Sequence, residues 1–337
     1  MPETDILAPT DRIRGVLAPV VTPFKADLSP DRQRFIRHCQ WLVSQNCGLA
    51  VFGTNSEANS MSAEERMTLL DALVATGIDP SHMMPGTGCC SITETITLTA
   101  HAVKHGCAGV LMLPPFYYKA VNEEGLYRYF SEVVQRVGDT RLKIYLYHIP
   151  PVAIVGITPK LVERLLNAYP NTIAGMKDSS GDWNNTKTFL DAFASDGFDL
   201  FVGSESFLLA NMRNGGVGTI SATANVNPAA IHKLYKKCSG VRRGERRANS
   251  KTLAVTSAST TELDDQQARL NVVREVFSNR KFPSMIAALK QTIAIYRKDP
   301  EWTRMRPPLI ELTTQQAESL AAELKAIGFA MPGIARL

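Results

Sequence analysis

The sequence predicts an α/β protein, a closed (β/α)8 (TIM) barrel with appended C-terminal helices. Three observations carry this reading. Eight short β-rich apolar runs recur along the chain, amphipathic helical stretches separate them, and the 337 residues exceed the length that such a barrel alone requires. Parallel strands covered by helices on both faces read as near-continuous apolar runs, which is the pattern seen here. A count of eight favours closure over an open doubly wound sheet. An open dinucleotide-binding sheet would also bring a GxGxxG turn after its first strand, and this chain has TPFKADLS there.

The runs are VLAPVVTPF from Val16, LAVFGT from Leu49, MMPGTG from Met83, GVLMLPP from Gly109, KIYLYHIP from Lys143, TIAGMK from Thr172, DLFVGS from Asp199 and VGTISATA from Val217. After the first run, Ser29 is placed to N-cap a helix with Pro30 in its first turn. Phe35, Ile36, Cys39, Leu42 and Val43 share one face of that helix, and Gly48 follows it. Ser62 and Glu65 form a capping-box pattern ahead of Met67, Leu70, Leu73 and Val74. Barrel material is expected over residues 1–240 and a C-terminal helical extension, packed on the barrel, over 241–337. The stretch KKCSGVRRGERRANSK, Lys236 to Lys251, reads as a solvated helix end or linker rather than a binding patch. Beyond it, FPSMIAALKQTIAIYR has Met285, Ile286, Leu289, Ile293 and Tyr296 at helical spacing. TQQAESLAAELKAIGF has a Thr313/Gln316 capping box and a Gly328 stop.

Composition narrows the function classes. With 45% hydrophobic and 20% charged residues the chain is expected to be soluble and globular. A net charge of +5 is too small and too dispersed to suggest nucleic acid as a partner. Six cysteines without a CxxC pair indicate neither a disulfide framework nor a zinc site, and a cytoplasmic location fits. The opening MPETDILAPTDRIRG has neither a basic start nor an apolar core, and no run approaches a membrane span, so no export signal and no membrane partner are expected.

Barrel active sites are built at the C-terminal ends of the strands. Five of the eight ends carry polar candidates: Thr54, Asn55, Ser56 and Glu57; Tyr117 and Tyr118; Tyr147 and His148; Lys177 and Asp178; Ser204 and Glu205. Lys177 continues an apolar strand on the parity of Ile173 and Gly175, so its amine either enters the barrel mouth or is pressed against a helix. It is then either one half of an ion pair, for example with Asp178, or a nucleophile, since burial of an amine favours its neutral form and a Schiff base with a carbonyl compound becomes accessible. Tyr147 shares the parity of Tyr145 and is either a core tyrosine or a proton carrier beside that amine. Thr54 and Asn55 follow Gly53 on a turn that either closes locally or offers donors to a carboxylate.

The segments GTNSE, PPFYYK, YHIP, GMKDSSGD and NGGVGTISATANV, in this order and spacing, resemble the dihydrodipicolinate synthase / N-acetylneuraminate lyase family of class I aldolases. The likeness spans about residues 13 to 235. It implies a barrel enzyme, usually a homotetramer, in which a lysine condenses with the C2 carbonyl of pyruvate or a related 2-oxo acid without a cofactor or metal. By this resemblance Lys177 is the Schiff-base lysine and Tyr147 shuttles protons. Thr54 links Tyr147 to a second tyrosine, Tyr117 or alternatively Tyr118, supplied in many members across a subunit interface. Asn55 would help hold the 2-oxo acid's carboxylate, Gly203 and Ile220 would line its pocket, and His148 would contact substrate.

Departures from the family pattern bear on the substrate. Ser56 replaces the usual glycine of the strand-two motif, which could alter that turn. His148 stands where many members carry asparagine. Val152 occupies the place of the arginine with which dihydrodipicolinate synthases grip the carboxylate of their aldehyde. A guanidinium's charge-assisted contact has no counterpart in an isopropyl group. The expected activity is therefore aldol cleavage, condensation or dehydration of a hydroxy-2-oxo acid or 2-oxo-3-deoxy sugar acid. Condensation of pyruvate with aspartate semialdehyde is the second reading, and a non-catalytic 2-oxo-acid-binding barrel is the alternative from another class. A metal-dependent aldolase finds no His/carboxylate cluster at the strand ends.

Overall fold

The computed structural model describes residues 12–248, 257–278 and 282–336. Seven strands, β1 (Gly15–Ala18), β2 (Gly48–Leu49), β3 (Val110–Met112), β4 (Ile144–His148), β5 (Ile173–Asp178), β6 (Asp199–Val202) and β7 (Gly218–Ile220), form one parallel sheet in the order β2-β1-β7-β6-β5-β4-β3. The third apolar run, expected as a strand, joins the two edges by isolated bridges instead. Met84 N–H donates to Leu49 O at 2.8 Å and Gly86 N–H to Val51 O at 2.7 Å, while Leu111 N–H donates to Pro85 O at 2.9 Å. Pro85 has no N–H to give a ladder, which breaks this segment into bridges yet still closes the ring.

Helices α1 (Arg32–Ser44), α2 (Ala63–Val74), α3 (Ile92–Lys104), α4 (Glu123–Val137), α5 (Pro150–Ala153), α6 (Pro159–Ala168), α7 (Trp183–Phe193), α8 (Leu208–Arg213) and α9 (Pro228–Ala248) alternate with the strands. The Ser62/Glu65 and Thr313/Gln316 capping boxes form as expected. The first helix starts later than Ser29 and Pro30 suggest. Asp31 is its N-cap, accepting from Arg34 N–H, because Ser29 is spent on Asp27 and Pro30 bridges Phe24.

The interior of the ring is filled by Leu17, Ala50, Met84, Leu111, Tyr145 and Phe201, and a second apolar layer lies between strands and helices. Beneath them Asp199 is buried, with Arg14 at 3.1 Å and Arg12 at 3.5 Å. Burial pushes its carboxyl above the usual range, and the two guanidinium groups pull against that.

The expected division at residue 240 falls inside α9, which continues to Ala248; residues 249–251 of the basic stretch lie outside the described residues, as do residues 1–11 of the N-terminal segment. Helices α10 (Ser257–Ser278), α11 (Met285–Arg297) and α12 (Thr314–Ala326) follow. The tail returns to the barrel where Trp41 Nε1–H donates to Pro332 O at 3.0 Å. Among the described residues no helix is long and apolar enough to cross a membrane.

Candidate active site

At the C-terminal end of β5, Lys177 is 3% exposed. Its parity does not follow from Ile173, as the sequence suggests. The β4/β5 register slips between Ile144 and Tyr145, so that Ile144 faces Ile173 while Tyr145 already faces Gly175. This bulge leaves Ile173 in the outer layer and turns Gly175 and Lys177 to the side of Tyr145 and Tyr147. Gly175 is needed for contact with β6, since a Cβ there would lie 2.0 Å from Asp199 O.

Tyr147 and Lys177 are paired in register, and the Lys177 amine donates to the Tyr147 hydroxyl at 3.3 Å. The same hydroxyl lies 3.3 Å from Thr54 Oγ1. Three expected residues from three strand ends are therefore linked in one hydrogen-bonded chain. Asp178 is not part of it. It points to the helix side, accepting from Ser180 N–H at 2.8 Å, Asn185 Nδ2 at 3.1 Å and Thr186 Oγ1 at 2.6 Å, and among the described residues no carboxylate pairs with Lys177.

Thr54 and Asn55 open the turn Thr54–Ser56; Ser56 N–H donates to Gly53 O at 3.1 Å, while the N–H groups of Thr54 and Asn55 are not consumed by the turn itself. Ser56 helps to close this turn. Its buried hydroxyl accepts from Gly53 N–H at 3.2 Å, and the positive φ of +55° falls on Glu57 instead. Ile220 is fully buried at the end of β7, in the same inner cluster as Tyr147. Gly203 extends β6, and a Cβ there would come within 2.0 Å of Ser179 Oγ.

One expectation is not met by the geometry. His148 alternates with Tyr147 and faces outward, where its Nδ1 accepts from Ile157 N–H at 2.9 Å and its ring lies against Phe189. Burial holds its imidazole below the usual value, against the pull of Asp178. It is thus a residue of the helix-facing layer, not of the substrate face. Tyr117 and Tyr118 are 72% and 74% exposed and stack edge-on against each other, with no hydrogen bond to Thr54 or Tyr147. A cavity of about 220 Å³ opens at the opposite end of the barrel, lined by Arg14, Gly15, Gly48, His82 and Tyr235, and is remote in the fold from the strand end that carries Lys177.

Sequence reasoning missed what holds the Thr54 turn. Glu57 is buried and accepts from Lys290 Nζ of α11 at 2.6 Å and from Arg306 N–H at 3.1 Å. Burial pushes the Lys290 amine down and Glu57 pulls it back. The only sequence signal is a lysine set within the apolar face of α11. Glu205, after β6, is likewise buried. It accepts from Ser221 and Thr223 hydroxyls, and Arg274 of α10 lies 3.3 Å away.

A sequence profile described as the dihydrodipicolinate synthetase family matches residues 12–327. The chain belongs to this family. An uncharacterised DapA-like lyase of Chloroflexus aurantiacus is 30% identical over 317 residues, covering 93% of this chain and 97% of that protein. A 4-hydroxy-tetrahydrodipicolinate synthase of Thermus thermophilus is 38% identical over 226 residues, 66% of this chain and 73% of the relative. Among solved structures, dihydrodipicolinate synthase from Agrobacterium tumefaciens superposes with a TM-score of 0.78 at 29% identity, covering 94% of this chain and 99% of the other. Membership makes the chain an enzyme of the lyase class, and the (β/α)8 barrel expected from the sequence is the family's fold. A Sulfolobus solfataricus 2-keto-3-deoxygluconate aldolase shares this fold at 18% identity, with a TM-score of 0.77 over 93% of this chain and 96% of the other.

Proposed function

We propose that Lys177 forms a Schiff base with pyruvate or a related 2-oxo acid, and that the enzyme makes or breaks a bond next to that imine in a hydroxy-2-oxo acid or 2-oxo-3-deoxy sugar acid. One observation carries the proposal: a buried lysine at a barrel strand end whose amine meets a tyrosine hydroxyl and no carboxylate. An amine held this way is a nucleophile in waiting rather than half of an ion pair.

The Lys177 amine adds to C2 of the 2-oxo acid, and the carbinolamine loses its hydroxyl as water to leave a protonated imine. In aldol cleavage the C4 hydroxyl gives up its proton while the C3–C4 bond breaks. The C3–C4 bonding pair becomes a C2–C3 double bond and the C=N π pair moves to the nitrogen, giving an enamine and an aldehyde. Reprotonation at C3 and hydrolysis return pyruvate and the free amine. Tyr147, touching both the amine and Thr54, is placed to carry these protons. Asn55 and the N–H groups of its turn are suited to the carboxylate, beside Ile220 and Gly203. Support for a pyruvate-like substrate also comes from a prophage protein of E. coli, a relative solved with pyruvate, at 25% identity and a TM-score of 0.79 over 94% of this chain and 99% of that one.

The exposed Tyr117 and Tyr118 after β3, and the exposed Val152 of α5 and Ile154 just past it, offer apolar surface suited to a second copy of the chain, which favours a homo-oligomer, a tetramer or dimer. Tyr117, or alternatively Tyr118, would then reach a partner's Thr54. Condensation of pyruvate with aspartate semialdehyde stands as the second reading, because the Thermus relative carries that synthase's name. The deciding test is incubation with pyruvate and borohydride. One reduced adduct on Lys177, located by peptide mass, is expected; no adduct with any 2-oxo acid, or an adduct only elsewhere, would falsify the assignment.

A further inference from the structure

His101, in the last turn of α3, and His105, the C-cap residue that follows it, aim their Nε2 atoms at a single carboxylate oxygen of Asp71 on the neighbouring helix α2. The separations are 2.8 and 2.6 Å. All three donor atoms lie within 4.8 Å of one another, and the two rings meet edge-on with centroids 4.6 Å apart. Hydrogen bonding satisfies only one of the two rings, His105 Nε2 bonding Asp71 Oδ1 at 2.6 Å. The Nε2 of His101 is buried and, despite its closeness to Asp71, makes no hydrogen bond of acceptable geometry.

We propose that Asp71, His101 and His105 form a binding site for a late first-row divalent cation of the Zn2+ type, which clamps α2 to the end of α3. Two imidazole nitrogens and a carboxylate oxygen are the ligand types that such cations prefer, whereas Mg2+ and Ca2+ require sites richer in oxygen. In a tetrahedral site with bonds of about 2.0–2.2 Å, ligand atoms stand about 3.3 Å apart. The two nitrogen to oxygen separations must therefore open by about half an ångström. Rotation of the half-exposed Asp71 side chain supplies this, and water takes the fourth position. The site sits on the outer helices, apart from the strand ends, so it belongs to the scaffold and not to the chemistry of Lys177.

The test is titration of the full chain, freed of metal by chelator, with Zn2+ alone, and with Co2+ read by visible absorption. One equivalent should bind with a dissociation constant of about 10 μM or tighter. His101→Gln and His105→Gln should each weaken it at least about tenfold, as loss of a ligand does. His82→Gln, which alters a surface histidine outside the cluster, should leave it unchanged. Metal-free melting curves of the variants matching the wild type keep a folding defect out of the comparison. An equivalent of Zn2+ that survives both substitutions, or no binding tighter than about 1 mM, overturns the proposal.

Discussion

The Lys177 amine and the Tyr147 hydroxyl meet at 3.3 Å because the two residues are register partners on adjacent parallel strands. Neither side chain needs a flexible loop to find the other. The contact depends on the single slip in the β4/β5 ladder, which brings Lys177 onto the inner face with Tyr147. Thr54, on a turn braced from outside the barrel by Lys290 and Arg306, completes the chain at the other side of the tyrosine.

Tyr147→Phe removes one hydroxyl and little volume from this chain. The fold should survive, and turnover should fall by about 10²–10⁴-fold. Steady-state and single-turnover rates check this. A near-normal turnover number with the chemical step limiting would remove Tyr147 from proton transfer.

Much of this was legible in the sequence, for physical reasons. Apolar runs of strand length and helix caps such as Ser62/Glu65 are local signals, so the barrel and the strand-end placement of Lys177, Tyr147 and Thr54 follow from them. The bulge is not local: nothing in IAGMK announces that Ile173 and Gly175 will face opposite ways. The family resemblance puts His148 at the substrate, whereas the strand's period of two sends it to the side opposite Tyr147. Glu57 and Lys290 lie 233 positions apart, and no pattern within either segment reveals their pairing.

Lys290→Met should test that brace. It leaves the Glu57 carboxylate buried with only one N–H donor, Arg306, and should cost about 3–5 kcal/mol of stability in urea unfolding. The double substitution Lys290→Met with Glu57→Gln should recover a substantial part, because a neutral amide has less need of a counter-charge. A loss under about 1 kcal/mol for the single variant would mean that the pair is not what holds the turn.

Stability should depend on pH through His38. This residue of α1 is buried between Trp41 and Trp302, with ring centroids at 5.5 and 5.1 Å. Burial, aided by the charge of Arg297, pushes its imidazole from the usual 6.5 down to about 3. Between these values the unfolded chain takes up a proton that the folded chain refuses, so stability is intact above about pH 6.5 and falls as pH drops toward 3. The slope from this residue is up to about 1.4 kcal/mol per pH unit. Urea unfolding at pH 7.5, 6 and 5 should show His38→Leu losing less than the wild type on acidification. Parallel curves would exclude His38 as the source.

The exposed tyrosines can be separated by their effects. If a second copy covers them, light scattering should give a mass above that of one chain. Tyr117→Arg together with Tyr118→Arg should reduce that mass and the activity with it. Tyr117→Phe alone, keeping the apolar contact, should lower turnover only if its hydroxyl joins a partner's site. A monomeric wild type with full activity would show that neither tyrosine serves across an interface.

The second substrate turns on Val152, which is 62% exposed on the short helix α5, immediately past β4. A site that selects aspartate semialdehyde must hold that aldehyde's carboxylate. A charge-assisted hydrogen bond of this kind contributes about 1.5–3 kcal/mol, or roughly ten- to a hundredfold in affinity. The isopropyl group offers none of it, and His148 is turned away. Lys119 remains beside this helix, donating to the backbone carbonyls of Phe116 and Ala153. Semialdehyde condensation should therefore be slow beside cleavage or dehydration of some 4-hydroxy-2-oxo acid or 2-oxo-3-deoxy sugar acid. Val152→Arg should raise its kcat/KM about ten- to a hundredfold, while Lys119→Met should change it little. The measurement is kcat/KM for the semialdehyde against a panel of those acids, in the wild type and both variants. Wild-type condensation at about 10⁴ M⁻¹s⁻¹ or above, with the panel inert, would make the synthase reading correct. Loss of that rate in Lys119→Met would then identify the lysine as the group that replaces the missing arginine.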